Sequence, residues 1–222
     1  MTMDLTRHVG AVTRAVQDRL HEGRPARVVV ASRSYDTTVD DLWDALTNKE
    51  RLPRWFAPVS GDLRLGGRYQ VEGNASGTIT RCEPPTAVGL TWEFGGKMSW
   101  VEVRLRPDGT ARAHLTLEHI AHPDEHWVQY GPGATGVGWD MALAGLAKHL
   151  ETGASNDPKA AAAWFASDDA RQFVRRSSED WKRADVASGT DDAVAEAAAS
   201  RTAAAYTAAP PQDAPAGSEA PG

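Results

Sequence analysis

The stretch that most constrains this chain is residues 133–150, GATGVGWDMALAGLAKHL, which follows a long run of alternating sequence. Trp139, Leu143, Leu146 and Leu150 recur at helical spacing and share one face. Asp140, Lys148 and Glu151 fall on the opposite side, where solvent is expected. A third face carries Gly138, Ala142 and Gly145, with His149 at its end. Each glycine inside a helix costs up to about 1 kcal/mol relative to alanine. Such a stripe calls for either close backbone approach by another element or space left for a ligand.

The preceding residues fix what that helix packs against. From Gly61 to Ile120 the period falls from about 3.6 to 2. Val101, Val103 and Leu105 alternate with Trp100, Glu102, Arg104 and Arg106, and Ala113, Leu115 and Leu117 alternate with Arg112, His114, Thr116 and Glu118. One face is apolar and the other polar, as in an antiparallel meander. Turn signals at Gly66-Gly67, Gly73-Asn74, Pro84-Pro85 and Asp108-Gly109 separate strands at 62–65, 68–72, 77–82, 87–94, 98–106 and 110–120. A helix of 18 residues spans about 27 Å, close to the reach of an eight- or nine-residue strand, so it can lie across the whole sheet.

Upstream, Leu5, Val9, Val12, Val16 and Leu20 keep helical spacing, so an amphipathic helix is expected over residues 4–22 within an N-terminal segment 1–25. Residues 27–35 are β-branched and read as the first strand. Thr38 caps a helix that buries Val39, Leu42, Trp43 and Leu46, with Asp41 in a capping-box-like role. A second short helix, capped by Asn48, precedes Trp55 and Phe56.

The order is strand, two helices, meander, long helix. With DLWDALTNKERLPRWF, GDLRLGGRYQ, CEPPTAVGLTWEF, LTLEHIA and GWDMALAGLAKHL, residues 27–152 resemble the START-like (SRPBCC) superfamily. Within it they are most similar to the branch named for the activator of the ninety-kilodalton heat-shock-protein ATPase. The resemblance implies an α+β helix-grip fold, a curved antiparallel sheet wrapped around the long C-terminal helix, here with added N- and C-terminal helices. It also implies a cavity between helix and sheet. Members of the superfamily bind apolar small molecules, some are cyclases, and a few bind a chaperone. The branch shares no catalytic motif, so no catalytic residue is carried over.

Domain boundaries are expected at 26–153 for the helix-grip unit, 154–206 for a helical extension and 207–222 for a Pro/Ala/Gly-rich disordered tail. In the extension, Trp164, Phe165, Phe173 and Trp181 are expected to cover the outward-facing Trp100.

Eight tryptophans supply candidate walls for a ligand cavity of ~300–1,000 Å³. The expected ligand-binding residues are Trp43, Trp55, Phe56, Tyr69, Trp92, His119, Trp139, Ala142, Leu143 and Leu146, with Tyr69 offering a hydroxyl and His119 an inward imidazole. His119, His122 and His126 straddle a strand end and the turn at Pro123, a spacing that does not favour a metal site. Glu93 and Glu118 take the outward phase, and a bulge near Pro84-Pro85 decides between Arg81 and Cys82.

No metal or cofactor is expected. The net charge of −6 argues against nucleic acid and against anionic membranes. One cysteine, no long apolar run and no signal-peptide core point to the cytoplasm. The reading is a small-molecule binder rather than an enzyme. The alternatives are a chaperone-activator-like interaction module and a cyclase- or hydrolase-like enzyme.

Overall fold

The computed structural model describes residues 5–208, with side chains from residue 7. Eight antiparallel strands form one curved sheet in the order β1-β2-β8-β7-β6-β5-β4-β3. They are β1 Thr13–His21, β2 Arg24–Tyr35, β3 Val59–Gly61, β4 Arg68–Val71, β5 Ser76–Glu83, β6 Ala87–Phe94, β7 Lys97–Pro107 and β8 Ala113–Ala121. The helices are α1 Leu5–Gly10, α2 Val39–Thr47, α3 Glu125–Tyr130, α4 Gly133–Thr152, α5 Pro158–Phe165, α6 Asp168–Ala187 and α7 Asp192–Thr207, with a 3-10 turn at Leu52–Arg54. The fold is the expected α+β helix-grip, with α4 held against the concave face.

Residues 13–21 are a strand, which corrects the helix expected over 4–22; only Leu5–Gly10 is helical. Val12, Val16 and Leu20 are spaced by four, close to one helical turn of about 3.6 residues and twice the strand repeat of 2, so local spacing cannot separate the two. Tertiary pairing decides. Glu22 and Gly23 both take positive φ, closing a two-residue turn that lays β1 along β2 from His21↔Arg24 to Thr13↔Ser32. Val12 and Val16 then join the core, while Leu20 stays exposed. Residues 62–65, expected as a strand, form the loop between β3 and β4.

The apolar phase of each strand behaves as its alternation requires. Val29, Ala31, Val101, Val103, Leu115 and Leu117 face α4 in the main core. On the convex side Trp100 packs with Ala26, Val28 and Ile120. Its lid is His21, at 4.1 Å between ring centroids, and His122 at 5.3 Å. The extension's aromatics do not cover it, contrary to expectation: Trp181 joins the concave core, and Phe173 packs with Val9 and Ala144.

The extension docks instead on the glycines at the start of α4. A Cβ on Gly136 would stand 2.3 Å from the Trp181 ring, and one on Gly133 3.1 Å from Thr202. Gly138 lies under the Tyr206 hydroxyl, which donates to the Ala134 carbonyl. These glycines are seats for α6 and α7. Gly136→Ala should therefore push Trp181 out of place and lower stability by about 1–3 kcal/mol in urea unfolding. A neutral result would mean that the ring can move at no cost.

Candidate functional site

Between α4 and the sheet lies a cavity of about 150 Å³. The helix contributes Trp139, Ala142 and Leu143, α2 and the following turn contribute Leu46, Trp55 and Phe56, and the sheet contributes Tyr69, Trp92, Val101 and Leu117. Seven of the ten expected positions therefore line it: Trp55, Phe56, Tyr69, Trp92, Trp139, Ala142 and Leu143. The cavity is smaller than the expected range. Trp92 and Trp139 pack against one another in its wall, 5.3 Å between ring centroids.

Trp43, His119 and Leu146 lie outside the cavity wall. Trp43 sits one residue, about 100°, further round α2 than the fully buried Leu42, so Leu46 takes the wall position instead. Leu146 is fully buried in closed core. The Trp55 carbonyl comes within 2.7 Å of where a Gly145 Cβ would be, so the chain closes on α4 at that level. Gly145 thus serves close backbone approach and does not widen the cavity.

His119 is committed elsewhere. Its Nδ1 accepts from Trp139 Nε1 at 3.0 Å, which fixes the neutral tautomer with the proton on Nε2. That Nε2 lies 2.9 Å from Ser99 Oγ, and Ser99 Oγ donates to the Trp92 carbonyl at 3.2 Å. The ring is 4% exposed, and burial lowers its pKa from 6.5 to about 4. No nitrogen is left for a ligand or a proton transfer.

The polar atoms of the wall are spent in the same way. Tyr69 donates its hydroxyl to the Thr91 carbonyl at 2.7 Å, so it offers none to the interior, and burial raises its phenol above the ordinary value. Trp55 Nε1 donates to Ala45 O at 2.9 Å and Thr47 Oγ1 to Trp43 O at 2.8 Å. Apart from the Cys82 thiol, the cavity presents mainly carbon.

The other candidates disperse. His122 is on the convex side, bonded to the Pro25 carbonyl, and His126 stacks near Tyr130 on α3. Glu93 pairs with Arg68, and Glu118 lies between Arg19 and Arg104, both on the outward phase as alternation requires. The bulge falls between Ile79 and Arg81, earlier than expected; it turns Arg81 outward and Cys82 into the cavity wall.

One residue escaped sequence reasoning altogether. Asp140, expected in solvent, is 1% exposed. Its Oδ2 accepts from Arg14 at 3.0 Å, Ser177 Oγ at 2.5 Å and Trp181 Nε1 at 3.1 Å. Arg14 also reaches Asp180 and the carbonyls of Val9 and Val12. Burial pushes the Asp140 carboxyl up, against the pull of Arg14 and the two neutral donors. The only sequence sign was a charge one residue after Trp139 in an apolar helix, which marks a second buried face once α6 is known.

A curved antiparallel sheet gripping one long helix over an apolar space defines a START-like, SRPBCC-class protein. The family model described as Activator of Hsp90 ATPase homolog 1-like protein matches residues 36–151, and the chain belongs to that family. CalU16 from Micromonospora echinospora is similar in two structures. Its solution structure is 34% identical over 81% of this chain and 97% of its own, with a TM-score of 0.67. The crystal structure gives 34% over 78% and 98%, at 0.61. EF2215 from Enterococcus faecalis shares the fold at 14% identity, 84% and 96% coverage and a TM-score of 0.58. DynU16, a putative protein in the dynemicin biosynthetic locus, shares it at 24%, 58% and 48%, and 0.51. No curated protein matched. Among the described residues no helix is long and apolar enough to cross a membrane.

Proposed function

We propose that this protein binds a small, wholly apolar molecule, or the aromatic end of a larger one, between α4 and the sheet. The supporting observation is the cavity itself, about 150 Å³ of space bounded mainly by carbon, with Tyr69, Trp55 and Thr47 donating to backbone carbonyls and Trp139 to His119. Apolar cavities of about this size stay dry and take ring-sized ligands such as benzene. Affinity would come from apolar area removed from water, at about 25 cal/mol per Å² before ordering costs. Acid–base chemistry has no free imidazole nitrogen to use there, since His119 is held neutral with both ring nitrogens bonded. An interaction module of the chaperone-activator kind would work from its outer surface and has no use for interior space.

The test is a titration with benzene and then naphthalene, read from methyl NMR shifts of Val101, Leu117 and Leu143. Benzene should shift these methyls saturably, whereas naphthalene should bind only if the cavity widens. Ala142→Leu should fill the space and abolish the shifts, with a thermal midpoint equal to or above wild type. If neither probe gives a saturable shift in the wild-type protein, the reading fails.

A further inference from the structure

The outer face of the sheet carries a groove of about 370 Å³ that the interior cavity does not touch. Arg81, Arg104 and Arg106 border it, with Thr86 and Thr116. Its depth follows from the sequence of β6. Ala87 and Gly89 are the residues that β6 presents outward here, opposite Arg104 and Arg81 in the register. A Cβ on Gly89 would stand 3.2 Å from the Arg81 Cβ. The floor is therefore low and its borders are long cationic side chains. The bulge after Ile79 is what turns Arg81 to this side.

The arginines are organised by carboxylates but not used up by them. Arg81 bonds Glu83 through Nε and Nη2, at 2.9 and 2.7 Å, which leaves Nη1 without an acceptor. Arg104 bonds Glu118 through Nη1 and Glu102 through Nη2, which leaves Nε. Arg106 makes no ion pair and no side-chain hydrogen bond among the described residues. His114, opposite Arg106, has its pKa lowered first by burial and then by Arg106. A guanidinium with no direct ion pair, its charge shared at longer range with Asp108, beside two guanidinium forks pre-positioned by carboxylates, presents several N–H donors to an anion.

We infer that this groove binds a small molecule through a phosphate or pyrophosphate group, its oxygens taking the free N–H donors of Arg81, Arg104 and Arg106 and the hydroxyl of Thr116, while the Thr86 hydroxyl is held by the Glu83 carbonyl. The recessed shape of the groove favours a small free anion over a headgroup held in a flat membrane surface. This inference is independent of the apolar cavity.

The experiment is calorimetric titration of the full chain with inorganic pyrophosphate at low ionic strength. Saturable binding is expected, weakening as salt is raised. Arg106→Gln and Arg81→Gln alter outward-facing side chains, so the fold should persist, as circular dichroism would verify. Each should weaken binding about tenfold or more, the loss expected for a charge-assisted hydrogen bond. Failure of the wild-type protein to bind, or equal affinity in Arg106→Gln, overturns the inference. A parallel sedimentation with phosphatidylserine vesicles separates the sources. Arg106-dependent vesicle binding without pyrophosphate binding would overturn the assignment to a free anion.

Discussion

Replacing Asp140 with alanine is expected to lower stability by about 3–5 kcal/mol, the largest effect of any single change proposed for this protein. The reason is the number of elements that meet at one carboxylate. Asp140 is on α4, Arg14 on β1, and Ser177 and Trp181 on α6, so one buried oxygen fastens three parts of the chain. Alanine would leave the Arg14 guanidinium, whose side chain is 6% exposed, with Asp180 as its remaining carboxylate partner. It would also strip the acceptor from Ser177 and from the fully buried Trp181. Unsatisfied buried donors each cost about 1–3 kcal/mol. Asp140→Asn keeps an acceptor oxygen but loses the charge, and should fall between alanine and wild type. Urea unfolding of the three proteins checks this ordering. A loss below about 1 kcal/mol for Asp140→Ala would show that the contacts are marginal and that apolar packing alone holds the extension.

The second large effect is a pH dependence carried by His119. Its pKa is about 4 in the folded protein and about 6.5 when exposed. Between these values the unfolded chain binds a proton that the folded chain refuses, so stability falls as the pH falls. The contribution is fully present above pH 6.5 and is lost progressively down to about pH 4, for a total of about 3 kcal/mol. Protonation would place a donor on Nδ1 facing the Trp139 N–H and a buried charge beside Trp92. Unfolding free energies measured from pH 7 to 4 should show this slope, and His119→Gln should flatten it. The carboxylates held low by hydrogen bonds and ion pairs, such as Asp41 by Thr37 and Arg51 and Glu93 by Arg68, titrate mainly below this window. If the variant keeps the full wild-type slope, other groups carry it.

How much of this was legible beforehand depends on the range of the forces involved. Alternation in β7 and β8 marked the inward faces correctly, because period-2 burial is written residue by residue. The Thr38 cap, which accepts from the Asp41 N–H, and the long α4 were likewise local signals. The three outlying site positions failed for two causes. Trp43 sits a residue past the buried Leu42 on α2, whereas His119 and Leu146 face inward, and facing inward does not distinguish a cavity wall from closed packing. That distinction needs the Trp55 carbonyl against Gly145 and the Trp92–Trp139 pair, which are contacts between distant segments.

By itself, then, the amino-acid order determined the alternating meander, the long helix and the apolar character of the interior, since hydrophobic period and turn chemistry are properties of neighbouring residues, while the helix-grip architecture and the family came from the resemblance of its motifs. The tertiary structure alone decided that residues 13–21 are a strand, that the glycines of α4 seat Trp181 and Thr202, and that Asp140 is buried. Each of these depends on which surface a segment meets. A side chain's solvent is set by its partner element, and for α4 that partner, α6, begins 28 residues after Asp140.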